Sequence, residues 1–236
     1  MLNPRLDHRC HERGISLVEL LVGIAVGMIV VAGASVMLVS QINEHRRLTL
    51  ETQVQQDLRA ASDLIVTELR KAGYRGQVQE GIWSPAKPTP AASTPYSKTT
   101  PTLTAAGATE VTYRYSKLSV GNSVDVFDGA TEQFGFKKDG DVLKFQLGSG
   151  GWQPLTDPGT MKVTAFTVDL VVQAVDMADY CERPCPVGAP DCPPRQEVLN
   201  FSVNLSGTAA HDPTVVRSLT VGTRVRNDRI VGVCPT

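Results

Sequence analysis

The residues best suited to covalent chemistry in this 236-residue chain are its five cysteines, four of which lie in the last quarter of the sequence: Cys181, Cys185, Cys192 and Cys234. Thiols at such spacings either form disulfides or bind zinc. The stretch 181–195 is rich in proline and has too few aliphatic residues for a core, so cross-links there would replace missing hydrophobic burial. We favour a bridge that ties this Cys-rich loop to the C-terminal tail through Cys234. A four-cysteine zinc site is the alternative, although the sequence lacks paired C-x-x-C spacing.

Other groups with catalytic potential are scattered along the chain. Beyond the first 14 residues the histidines are His45 and His211, and neither belongs to an H-E-x-x-H motif. G-x-S-x-G and phosphate-binding loops are also missing from the sequence. The four aspartates between 125 and 141 do not have the spacing of an EF-hand loop. The sequence therefore predicts a protein that is not an enzyme and that needs no cofactor or metal.

The overall charge argues against a nucleic-acid partner. The formal net charge is −1 and the isoelectric point is about 6.4, whereas proteins that neutralise phosphates usually carry a clear basic excess. A group of arginines occurs near the C-terminus, at positions 217, 224, 226 and 229. We interpret these arginines as solvent-facing strand residues, so DNA binding is not expected.

The N-terminus has the composition of a membrane anchor. Residues 1–14 are polar and slightly basic, and an apolar run of about 26 residues follows, which exceeds the roughly 20 that a helix needs to cross a bilayer. Glu19 is the one charge in this run. Because a carboxylate inside a membrane helix costs free energy, we expect Glu19 to have a function. An ordinary secretory signal peptide is the alternative, but its apolar region is usually about 7 to 15 residues long.

Residues 13–20, RGISLVEL, resemble the class III signal of type IV pilins and type II secretion pseudopilins. The resemblance implies that a prepilin peptidase cleaves between Gly14 and Ile15 on the cytoplasmic face. It further implies N-methylation of Ile15 and makes Glu19 the fifth residue of the mature chain. Family members most often begin with phenylalanine, so Ile15 is a departure. Under this interpretation Cys10 is removed with the leader, and the four remaining cysteines form two disulfides in the oxidising periplasm.

A physical role for Glu19 follows from this cleavage. The cut leaves a cationic amine at the edge of an apolar helix, with the carboxylate about one turn further along. When such helices pack in a filament, the amine of one subunit can meet the carboxylate of its neighbour, because a buried charge is tolerated only when it is paired. We therefore predict that Glu19 acts in assembly.

Two further stretches, 57–76 and 220–228, resemble the PilW branch of minor pilins. This resemblance implies a protein of the inner membrane with a single span and a periplasmic head, which later occupies the pilus tip at the cell surface. It implies a role in starting filament assembly, with prepilin peptidase, other minor and major pilins and a tip adhesin as partners. A minor pseudopilin of a type II secretion system is the first alternative. A Sec-secreted soluble periplasmic protein is the second.

The elements that position these residues can be predicted from periodicity. After a leader (1–14) and a membrane or filament-core helix (15–41), residues 42–76 predict an amphipathic helix that continues into the head. Its apolar residues recur at steps of three and four: Leu50, Val54, Leu58, Ala61, Ile65, Leu69 and Ala72. No proline interrupts 15–72, so we predict one helix of about 55 to 60 residues that stops at Gly73.

The remainder predicts a β-rich head. Residues 77–108 form a proline-rich loop, because five prolines exclude regular helix and central strand. In 109–236 the apolar residues alternate with polar ones around 111–115, 166–172, 199–205 and 219–225, as in half-buried antiparallel strands. Residues 136–145 predict a hairpin centred on Asp139-Gly140. The fold class is therefore α+β and pilin-like, with the second half of the helix packed on an antiparallel sheet.

Overall fold

The computed structural model describes residues 14–76, Tyr96, 107–117 and 127–235. The predicted leader, apart from Gly14, and nearly all of the predicted proline-rich loop 77–108 lie outside these residues. The chain divides into two compact units, Met1–Leu48 and Thr49–Thr236.

Helix α1 spans Leu17–Leu69, a length of 53 residues, close to the predicted 55 to 60. It is long and apolar enough to cross a membrane. It ends slightly earlier than predicted, because Arg70 to Gly73 form turns and Gly73 adopts a positive φ of 74°. Glycine adopts this left-handed conformation without a steric penalty, which is why it commonly follows the last helical turn.

The C-terminal half of α1 buries one face. Val54, Leu58, Ala61, Ile65 and Leu69 are all buried, and Leu50 is partly buried. Their spacing of three and four residues places these side chains on the same side of the helix. This part of the predicted amphipathic helix is therefore confirmed.

The first sheet is an antiparallel meander of four short strands. They are β1 (Glu110–Arg114), β2 (Gln133–Asp139), β3 (Val142–Leu147) and β4 (Trp152–Pro154), in the order β1-β2-β3-β4. The predicted hairpin is present, but its centre lies one residue later, at Gly140-Asp141, because Asp139 pairs with Val142. Gly140 has φ of 59° at the first turn position, where a type II′ turn requires a positive φ.

The second sheet contains three long strands and one short one. They are β5 (Met161–Asp176), β6 (Arg195–Ala209), β7 (Asp212–Arg224) and β8 (Arg229–Val231). The order is β5-β6-β7, and β8 pairs with the start of β6, antiparallel throughout. Three of the four segments predicted from alternating apolar residues, 166–172, 199–205 and 219–225, fall in these strands, except that Val225 lies one residue beyond β7.

One hydrophobic core joins the buried face of α1 to the inner faces of both sheets. Its largest fully buried side chains include Tyr113, Phe134 and Phe136 of the first sheet and Phe166 and Phe201 of the second. The α+β architecture with a long N-terminal helix is therefore confirmed.

Truncation of a core side chain of α1 tests how much the helix contributes to the stability of the head. We expect Leu58→Ala to lower the free energy of unfolding by about 2–5 kcal/mol, since the wild-type side chain is buried and the cavity cannot collapse fully. Leu147→Ala is the matched control because Leu147 is exposed, and it should cost about 0.5 kcal/mol or less. Urea denaturation followed by tryptophan fluorescence would measure both. Equal losses for the two variants would contradict the packing described.

Candidate functional site

The predicted cleavage point lies directly before helix α1. Gly14, Ile15 and Ser16 are not helical, and the backbone N–H of Leu20 donates to the carbonyl of Ser16 at 3.0 Å as the helix begins. Ile15 is 74% exposed, and a Cβ added to Gly14 would meet no atom within 4 Å. A peptidase must bind its substrate in an extended form, so this unhindered backbone suits cleavage between Gly14 and Ile15.

Glu19 lies in the first turn of α1, where the positive end of the helix dipole favours a carboxylate. It follows Ile15 by four positions in the sequence. Large apolar side chains surround it along the chain, and Leu17, Val18 and Leu20 are all exposed. Within the described residues its carboxylate makes no ion pair or hydrogen bond.

Three glycines leave parts of the surface of the same helix free of side chains. A Cβ added at Gly23, Gly27 or Gly33 would meet nothing within 4 Å. Glycines on a membrane helix let a second helix approach closely, because the backbones are not held apart by side chains. The first half of α1 is thus suited to packing against other helices.

The four predicted disulfide cysteines form two bridges. Cys181 is joined to Cys234 with a Cα–Cα distance of 5.3 Å, and Cys185 is joined to Cys192 at 5.6 Å. The first bridge connects the Cys-rich loop to the C-terminal tail, the link that the sequence favoured. Because all four sulfurs lie in disulfides, none is available as a thiolate ligand for the alternative zinc site.

Glu132 is a buried carboxylate that the sequence analysis did not single out. Its Oε2 accepts hydrogen bonds from the Tyr96 hydroxyl at 2.6 Å and the Asp128 N–H at 3.0 Å. Its Oε1 accepts from the Lys117 N–H at 3.0 Å and the Ser116 hydroxyl at 3.3 Å. Burial alone would raise the pKa of Glu132, but these hydrogen bonds outweigh it and hold the pKa below its usual value. All four donors belong to the protein itself, so the role of this carboxylate is structural.

A pH titration of stability tests this role. Because the folded-state pKa of Glu132 is depressed, its stabilisation is complete above the unfolded-state pKa and is lost as pH falls through the folded-state pKa. We expect Glu132→Gln to destabilise the head by about 1–3 kcal/mol at pH 7 and to flatten the loss of stability on acidification. The exposed Glu110→Gln is the control. Urea midpoints between pH 7 and 3 that fall equally steeply in wild type and Glu132→Gln would contradict the assignment.

The comparisons with known proteins agree with this geometry. Residues 9–35 match the prokaryotic N-terminal methylation motif, which defines a type IV pilin-like protein. Residues 47–225 match the family described as prepilin peptidase-dependent protein B, and the chain belongs to that family. Processing by prepilin peptidase and partnership with pilins follow from the two matches, and the apolar helix fits membrane anchoring. No curated protein and no solved structure matches the chain.

Proposed function

We propose that this protein is a minor pilin of a type IV pilus, a structural subunit rather than an enzyme, which helps to initiate the filament and stays near its tip. The proposal rests on the single carboxylate of Glu19, which lies on an exposed apolar helix. It follows the accessible peptide bond between Gly14 and Ile15 by four residues. In a bundle of such helices the carboxylate would be buried, and a second, similar helix can supply the opposite charge that makes this burial tolerable.

The assembly step depends on processing. Cleavage after Gly14 creates an α-amine on Ile15, and N-methylation of that amine leaves it cationic. In a bundle of such helices, the amine of an incoming subunit pairs with Glu19 of its neighbour, while Gly23 and Gly27 let the helices approach closely. Unprocessed chains cannot form this ion pair, because they lack the amine on Ile15. The membrane then holds the subunit with its head in the periplasm until it joins the filament.

The proposed PilW-like role rests on two stretches that meet in the structure. Residues 57–76 contain most of the buried face of α1, its end and the turn after it, and residues 220–228 contain the last five residues of β7 and the four that follow. The N–H of Arg226 donates to the carbonyl of Arg70 at 3.1 Å, and the Asn227 side-chain amide donates to the carbonyl of Ala72 at 3.4 Å. The two resembling stretches thus form one structural feature, in which the segment after the helix is hydrogen-bonded to the segment that follows β7.

Localisation in sheared filaments tests this proposal. We expect the protein to be present in far fewer copies than the major pilin, with immunogold label at one end of each filament. Deletion of the gene should reduce the number of surface pili while protein secretion remains normal. Label along the whole filament would overturn the tip assignment. A secretion defect with normal pili would instead identify a minor pseudopilin, and a soluble product cleaved beyond the apolar run would identify a Sec-secreted protein.

A further inference from the structure

The connection between β5 and β6 is far longer than the fold requires. Two neighbouring antiparallel strands can be joined by two residues, whereas β5 ends at Asp176 and β6 begins at Arg195. The intervening residues 177–194 contribute no side chain to the hydrophobic core. Burial of apolar side chains in the core therefore does not explain this insertion.

The insertion nevertheless has a fixed shape. Besides its two disulfides, the Met177 N–H donates to the carbonyl of Pro194 at 3.0 Å and closes the base of the loop. The Val233 N–H donates to the carbonyl of Asp191 at 2.8 Å. The neighbouring Gly232 has φ of 88°, and a Cβ there would lie 2.5 Å from the same carbonyl oxygen, so the tail runs directly against the loop. Such pre-organisation lowers the entropic cost of binding.

Exposed apolar side chains are concentrated in this part of the chain. Among residues 49–235 that the structure describes, four of the seven exposed large hydrophobic residues fall between 171 and 187: Val171, Val175, Tyr180 and Val187. Val171 and Val175 lie on one face of β5 because side chains alternate along a strand. Tyr180 is 74% exposed and Val187 is fully exposed on the loop that follows. Exposed apolar groups held in a rigid frame are typical of protein interaction sites, in which tyrosine is frequent.

The charge of the same region restricts the partner. Residues 176–195 carry four carboxylates, Asp176, Asp179, Glu182 and Asp191, against Arg183 and Arg195, a formal charge of −2. Nucleic acids and anionic lipid head groups would be repelled. A second copy of this chain would bring the same acidic loop to a two-fold contact, which is also unfavourable.

We infer that Val171, Val175, Tyr180 and Val187 form a docking surface, here called the loop surface, for a different protein. That partner offers an apolar pocket bordered by lysine or arginine side chains. The apolar residues fill the pocket, and Asp179 and Glu182 face its cationic rim. The two disulfides hold the loop in the shape that the partner recognises.

Site-specific photo-crosslinking in the cells that produce the full-length protein tests this inference. A benzophenone amino acid placed at position 187 should yield one protein adduct of defined mass. The matched control is position 216, which is occupied by a valine that is 50% exposed on β7 and should yield little or none. Mass spectrometry should locate the cross-linked peptide of the partner in an apolar pocket with adjacent lysine or arginine.

Two variants separate recognition from mere proximity. With the probe kept at position 187, the double variant Asp179→Lys, Glu182→Lys should reduce the adduct about tenfold or more. Cys185→Ser, Cys192→Ser should also reduce the adduct, expressed per amount of protein in the membrane. No adduct, equal adducts at 187 and 216, an adduct to lipid, nucleic acid or a second copy, or a yield unaffected by charge reversal would each overturn the inference.

The intact mass of the cross-linked samples distinguishes a failure of this inference from a failure of the proposed function. This mass shows whether the chain begins at Ile15. A cross-link in a chain that is not processed there would leave the loop surface intact and overturn the pilin mechanism. Correct processing without the cross-link would overturn the loop surface alone.

Discussion

Replacement of Glu19 by alanine is expected to leave processing intact and to remove the protein from filaments almost completely. The residue lies beyond the predicted cleavage point in an exposed first helical turn, so a peptidase can still reach Gly14 and Ile15. In the assembled core, however, the amine of a neighbouring subunit would be buried without a counter-charge. Breaking a buried ion pair in this way costs about 3–5 kcal/mol. A loss of this size corresponds to a reduction in incorporation of at least about a hundredfold.

Quantitative immunoblots of sheared filaments and of membranes would measure the effect of the Glu19→Ala change. Glu44→Ala is the matched control, because Glu44 is another exposed carboxylate of α1 but lies beyond the apolar run, and it should be incorporated normally. Glu19→Asp, which keeps the charge on a shorter side chain, should restore part of the incorporation. Normal incorporation of Glu19→Ala would contradict the assembly mechanism.

The second large effect is expected on stability, when the disulfide bridge between Cys181 and Cys234 is removed. This bridge closes a loop with a sequence separation of 53 residues, and the loss of chain entropy in the unfolded state predicts a stabilisation of roughly 4 kcal/mol. The bridge between Cys185 and Cys192 spans only 7 residues and predicts roughly 2 kcal/mol. Cys181→Ser, Cys234→Ser should therefore destabilise the head about twice as much as Cys185→Ser, Cys192→Ser.

Denaturation of both double variants in urea, beside the wild-type protein, would test this order. The short-bridge variant serves as the control, since it also loses one disulfide and two sulfur atoms. Addition of a thiol reductant should bring the wild-type protein toward the combined loss. A larger loss from the short bridge than from the long one would contradict the expectation.

Much of the fold could be predicted because its elements follow simple periodicities. The apolar residues of α1 from Val54 to Leu69 recur every three or four positions and are buried as expected. The alternation around Phe201 and Val203 likewise identifies β6. In both cases one continuous face meets the core, so local sequence and tertiary packing agree.

Features that depend on contacts between distant residues were harder to predict. The hairpin turn lies at Gly140-Asp141 because the register of β2 and β3 fixes it, and composition alone also fits a centre one residue earlier. Nothing near Tyr96 or Glu132 in the sequence indicates that they form a hydrogen bond across 36 residues. Which cysteines pair was likewise left open, because pairing depends on how the loop and the tail meet.

The mass and N-terminal sequence of the mature protein, isolated from membranes with and without prepilin peptidase, test the central claim most directly. We predict a chain that begins at methylated Ile15 when the peptidase is present and a chain that keeps its leader when the peptidase is absent. A chain that begins beyond the apolar run, whether or not the peptidase is present, would contradict the account.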